Sequence, residues 1–155
     1  MGEIEYIELK KALNKIGDML VKEIKIQLER YNKNASHTLS DSIIFEIKEM
    51  GDDLMLDILG ADYLTYVDQG RRAGRQPPTK PIEKWIGEKG LNIPQHERKG
   101  VAFAIARKIG RDGIPATNII QKAIDIVMTD MKLQVSTAYN KDIQNYILNG
   151  LENNK

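Results

Sequence analysis

Two periods divide this chain, and the point where one replaces the other decides what class of fold it can form. Leu9, Leu13, Ile16, Leu20, Ile24, Leu28 and Tyr31 recur at steps of three or four, which places them on one stripe of an α-helix. Between them Lys11, Lys15, Asp18, Lys22, Glu23, Lys25 and Glu29 take the water-facing side. The helix is expected to run from about Ile4 to Asn32 and to stop in the polar Asn32-Lys33-Asn34 stretch. A helix of that length needs a sheet or a neighbouring subunit to cover its stripe. The period then changes to two. Ile43, Phe45 and Ile47 alternate with Ile44, Glu46 and Lys48, and Leu54, Leu56 and Ile58 alternate with Met55, Asp57 and Leu59. These are half-buried strands, and the turn signal Met50-Gly51-Asp52-Asp53 between them predicts an antiparallel hairpin.

Helical spacing returns after Gly60. Tyr63 to Asp68 reads as a short helix with Asp62 as its N-cap, ending at Gly70. The segment Arg71 to Pro78 follows as a loop, and Pro77-Pro78 makes it extended and semi-rigid. Pro81 suits the first turn of the next helix, with Ile82, Trp85 and Ile86 on its buried side and Gly90 as its stop. A further helix over about Glu97 to Ile109 presents Val101, Ala102, Ile105, Ala106 and Ile109 on one face. Arg111-Asp112-Gly113-Ile114-Pro115 breaks the chain. The last helix then runs from about Ala116 or Thr117 to about Asn149, with Ile120, Ile124, Val127, Met131 and Val135 inside. At about 1.5 Å per residue it would span about 50 Å, too long for one small body to cover. Part of it is therefore expected to meet another subunit, and residues 149–155 are expected to be a frayed polar tail. The order is that of an α+β protein: a long N-terminal helix, an antiparallel hairpin, short helices and a long C-terminal helix. With 155 residues and no linker or repeat, one domain over 1–155 is expected.

Charge removes some functional classes and leaves others. Lys and Arg total 23 against 22 acidic residues, a net charge of +1, so any electrostatic argument must rest on local clusters. The chain has no cysteine, which excludes disulfides, thiolate nucleophiles and cysteine-ligated zinc together and suits a reducing compartment. The acidic start Met1-Gly2-Glu3-Ile4-Glu5 lacks the layout of a signal peptide, and no apolar run approaches a membrane span. A soluble protein made in the cytoplasm is the expectation, with no membrane partner.

The search for catalytic chemistry turns up little. His37 and His96 each lie in a polar stretch with no nucleophile or orienting partner near in sequence. Asp52, Asp53 and Asp57 lack the spacing of a calcium loop, and the turn accounts for them. Gly70-Arg71-Arg72-Ala73-Gly74 lacks the glycine spacing and downstream Lys-Ser/Thr of a phosphate-cradling loop. No cofactor or metal ligand set is expected. The basic loop is more informative. Arg71, Arg72, Arg75 and Lys80 fall together with no acidic residue between Gly70 and Pro81. Such a cluster suits phosphates, or an acidic patch on a protein neighbour. Arg98, Lys99, Arg107, Lys108 and Arg111 instead read as the solvent face of a helix. Tyr63, Tyr66 and Trp85 sit at helical spacing among apolar residues, so core packing is favoured over base stacking. Trp85 is then the anchor at the far end of the loop, and Trp85→Ala would cost roughly 3–5 kcal/mol if the ring is buried.

In sequence order these pieces resemble the tail-completion, or head–tail joining, proteins of tailed bacteriophages. The likeness rests on Tyr63-Leu64-Thr65-Tyr66-Val67-Asp68-Gln69-Gly70, the basic glycine-containing loop, Pro77-Pro78 and Pro81-Ile82-Glu83-Lys84-Trp85-Ile86. It is extended by Ala102 to Ile109 and by Gly113-Ile114-Pro115-Ala116. Asp68 stands where that family commonly has Glu. The resemblance covers about Ile4 to Val135. It implies a non-enzymatic virion protein of the neck, an oligomer of ring type joining the head connector, or portal, to the tail tube. The loop at 71–80 would then contact the adjoining ring or loosely face passing DNA. The alternative from the residues alone is a small DNA-binding module acting through Arg71, Arg72, Arg75 and Lys80.

Overall fold

A computed structural model describes residues 4–33, 38–51, 53–61 and 64–152. Helix α1 spans Ile7–Arg30, α2 Thr38–Ser42, strands β1 and β2 Ile44–Met50 and Asp53–Leu59, α3 Leu64–Gln69, α4 Thr79–Glu88, α5 Arg98–Asp112 and α6 Ile119–Glu152. The α+β architecture is the one the periods predict. Three details differ. The short helix α2 was not anticipated; it buries Leu39, and its Ser42 hydroxyl accepts the Ala61 N–H at 2.9 Å. α5 continues through Asp112, so the break begins only at Gly113. α6 continues to Glu152, so residues 149–152 are helix where a frayed tail was expected; residues 153–155 lie outside the described residues.

The body of the molecule forms because three apolar surfaces share one seam. Ile16, Leu20, Ile24 and Leu28 of α1 are buried, as the stripe requires. They face Ile119, Ala123 and Val127 of α6 and the inner side of the hairpin, where Leu56 and Ile58 pack. The register pairs Phe45 with Ile58 and Ile47 with Leu56, so the alternating apolar residues meet on one face. Their neighbours, Ile44, Glu46, Lys48 and Met55, fall on the other.

The two long helices hold each other by their ends. A helix N-terminus leaves backbone N–H groups without partners. At α1 these are met by a carboxylate from the far end of α6: Asp142, 3% exposed, accepts the N–H groups of Glu8 at 2.9 Å and Leu9 at 2.8 Å. At the other end of the pair, Asp68 accepts the N–H of Ile120 at 2.9 Å, in the first turn of α6. Each long helix is thus capped by a side chain remote in sequence.

The helices α4 and α5 stand apart from this seam. They pack on each other through Ile86, Ala102 and Ala106, all 0% exposed, and contribute nothing to either core cluster of the body. The chain leaves for this arm at Arg71 and returns at Ile114. There the two segments pair backbone to backbone, Arg71 N–H to Ile114 at 2.8 Å and Ile114 N–H to Arg71 at 2.7 Å.

Candidate functional site: the basic loop and its arm

Short α3 ends at a junction that explains much of the Tyr-x-x-Tyr-Val-Asp-x-Gly segment. The Asp68 carbonyl accepts the N–H groups of Thr117 at 3.0 Å and Asn118 at 2.9 Å, while Thr117 Oγ1 donates to the Val67 carbonyl at 2.6 Å. Gly70 has φ 74, and a Cβ there would come within 2.4 Å of the Ile114 carbonyl oxygen. A Cβ on Gly113, with φ 76, would clash in the same way with the Arg71 carbonyl oxygen. Both positions need glycine for conformation and for room. The segment is a structural clasp between α3 and the start of α6.

The loop begins inside this clasp. Arg71 is partly buried, and its guanidinium donates to the Arg75 carbonyl at 2.8 Å, so it braces the loop rather than projecting from it. Arg72, Arg75 and Lys80 are exposed. The loop then lies along α5. The Gly74 N–H donates to the Gly110 carbonyl at 2.7 Å, and a Cβ on Gly110 would meet the Gln76 backbone at 3.1 Å. Arg71, Arg75, Pro77, Pro78 and Phe103 line an open groove there. Phe103 is 52% exposed.

Burial overturns two of the expected aromatic anchors. Tyr66 is 54% exposed and Trp85 41% exposed, so neither is a core residue. Tyr63 lies outside the described residues. The apolar side of α3 is carried by buried Leu64 with Val67 against the body core, and that of α4 by Ile86. The reason is geometric. Among the described elements α4 packs mainly on α5, so one narrow side of it is covered, and Ile86 is the buried residue there.

The second basic group is divided by the fold. Arg98 turns back to the Ile93 carbonyl at 3.2 Å. Arg111 grips Asp112 with two hydrogen bonds, at 2.7 and 2.9 Å, and Lys108 approaches the same carboxylate at 3.4 Å. The Arg111 hydrogen bonds hold the Asp112 carboxyl down at about 2. Arg107 differs: it sits one turn from both Phe103 and Gly110, on the face along which the loop runs. The sequence kept Arg107 apart from the loop arginines because the two lie some thirty residues apart in the chain; only the closure of the arm joins them.

The other candidates stay apart. His96 is on the surface beside Glu97 at 3.5 Å. His37, Asp52 and Asp62 lie outside the described residues. Asp57 is taken by Lys48 at 2.6 Å, a contact that raises the Lys48 pKa. Among the described residues, no three His, Asp or Glu side chains converge as metal ligands, and no helix is long and apolar enough to cross a membrane. What the groove offers a partner is guanidinium groups beside proline and phenylalanine surface, a combination suited to a partly apolar, anionic counterpart. Comparison with models of known families, with curated proteins and with solved structures returns no match for this chain.

Proposed function

We propose that this protein is a structural component of the neck of a tailed bacteriophage, which oligomerises as a ring and joins the head connector to the tail. The observation that carries this reading is the amount of large apolar surface left uncovered on a well-packed body. α6 holds the body with one stripe and exposes a second: Ile126 is 55% exposed, Leu133 68%, Leu148 58% and Leu151 64%. At about 100° per residue these four residues fall on the same side of the helix. Apolar patches of this kind mark surfaces that other proteins cover. The clasp at Asp68 and Gly70 agrees with the resemblance by giving its motif a structural meaning.

The test is to delete the gene in a phage that carries it and image the particles. DNA-filled heads without tails are expected. Complete, infective particles would sink the proposal.

One observation favours a second reading, a DNA-binding module: Arg72, Arg75 and Lys80 of the loop are all exposed, with Arg75 lining the groove beside Phe103. Salt-titrated binding to duplex DNA separates the two. Micromolar or tighter affinity at physiological salt, with a steep salt dependence, supports the module.

A further inference from the structure

The acidic counterpart of the basic groove lies on the same chain. Residues 44–59 contain Glu46, Glu49, Asp52, Asp53 and Asp57 against one lysine, a net charge of −4, whereas residues 70–80 contain four cations and no acid. The hairpin's inner face is used by the body. Its outer face carries Glu46 and Asp57 as a cross-strand pair, partly neutralised by Lys48. The same face leaves Ile44 51%, Met50 59% and Met55 44% exposed. Glu49 falls on the inner side, held by Lys10 at 2.6 Å, so the outer face keeps Glu46, Asp53 and Asp57 against Lys48. It is acidic and apolar together, as the groove is basic and apolar together with Pro77, Pro78 and Phe103.

Among the described elements, the strands of the hairpin make at most marginal contact with the arm helices α4 and α5. The hairpin packs against α1, while the groove belongs to the arm, whose helices pack on each other. A second copy of the chain would offer each of these oppositely charged patches its counterpart. We propose that the outer face of the β1–β2 hairpin docks into the loop–α5 groove of the next protomer. This inference rests on the assembly reading above and names its interface. Because the two patches differ, the contact is heterologous, head to tail, and such contacts close into rings or extend as filaments rather than stopping at a dimer. Charge steers and registers the encounter, and the apolar residues supply the buried area.

The chain's lack of cysteine makes the test clean. The full chain carrying both Met55→Cys and Phe103→Cys, treated with a short bis-maleimide, is expected to give a ladder of covalent multimers. Each single variant is expected to remain monomeric on the same gel. Adding Arg72→Glu and Arg75→Glu to the double variant is expected to weaken the ladder by about tenfold or more, the factor set by about 1.4 kcal/mol. A chain with Phe103→Cys, Arg72→Glu and Arg75→Glu should then cross-link to one with Met55→Cys, Glu46→Arg and Asp53→Arg, and not to one with Met55→Cys alone. That rescue separates lost pairing from lost folding.

Dimers from either single variant would mean a two-fold interface and overturn the proposal. Multimers by native mass spectrometry without a ladder would overturn this interface and leave the ring reading standing. Neither multimers nor ladder at high concentration would remove both. Short duplex DNA that binds the groove in an Arg72- and Arg75-dependent way, with no ladder formed, would assign the surface to nucleic acid and overturn it as well.

Discussion

Trp85 and Ile86 are neighbours in sequence with opposite fates, and the difference shows where the energy of the arm resides. Ile86 is 0% exposed at the α4–α5 seam and Trp85 is 41% exposed. Ile86→Ala is therefore expected to cost about 2–5 kcal/mol. Trp85→Ala should cost well below the roughly 3–5 kcal/mol of a buried tryptophan. Urea unfolding of both variants checks the order, and a larger loss for Trp85→Ala would contradict the burial. Asp112 gives a pH signature. Its carboxyl is held at about 2 by Arg111, below the ordinary 3.8. A depressed carboxyl stabilises the fold above its ordinary value, and that contribution disappears as pH falls through the folded one. Between those two values the parent chain should lose stability that Asp112→Asn does not lose. Parallel acid-unfolding curves for the two proteins would show that the Arg111–Asp112 pair contributes nothing.

At the scale of elements, the α1–α6 pair depends on caps that no local motif supplies. Asp142→Ala leaves the Glu8 and Leu9 N–H groups without their acceptor. Losing such a cap costs about 0.5–2 kcal/mol. The loss should be local enough to appear as faster amide exchange at residues 8 and 9, and unchanged protection there would mean that water replaces the carboxylate. Asp68 has the same role at α6, which explains why an acid belongs at that place in the segment. α6 itself carries apolar residues on more than one side, so one side can hold the body together while another is left for a partner. A helix with a single stripe could serve only one of these purposes.

At the scale of the molecule, the α4–α5 arm is joined to the body by the paired segments at Arg71 and Ile114 and by Lys89 Nζ, which donates to the Asn32 carbonyl at 3.0 Å and to Asn32 Oδ1 at 2.6 Å. None of its residues enters the core clusters of the body. Replacing residues 72–113 by a two-residue Gly-containing turn should therefore leave a body that unfolds cooperatively and keeps its helical circular dichroism, with some stability lost. A shortened chain without a cooperative transition would show that the arm is needed to fold the body. The arm also supplies half of the proposed interface, so the excised protein should give no head-to-tail ladder.

The long helices, the hairpin and the buried stripe of α1 were legible in the sequence, whereas α2 and the buried side of α4 were not. Period three-to-four at Leu9–Tyr31, period two at Ile43–Ile47 and Leu54–Ile58, and the glycine and proline stops are local properties, set by backbone geometry before any tertiary contact forms. The tertiary structure alone decided which of two apolar neighbours enters a seam. It also brought Asp142 to α1 and Asp68 to α6, and it laid Arg107 beside a loop far from it in the chain. Those outcomes depend on how close two helices approach and where a returning chain crosses itself. Such distances between remote segments leave no period in the sequence. For the same reason the basic loop was legible as a cluster of charge, while the groove it forms with Phe103 was not.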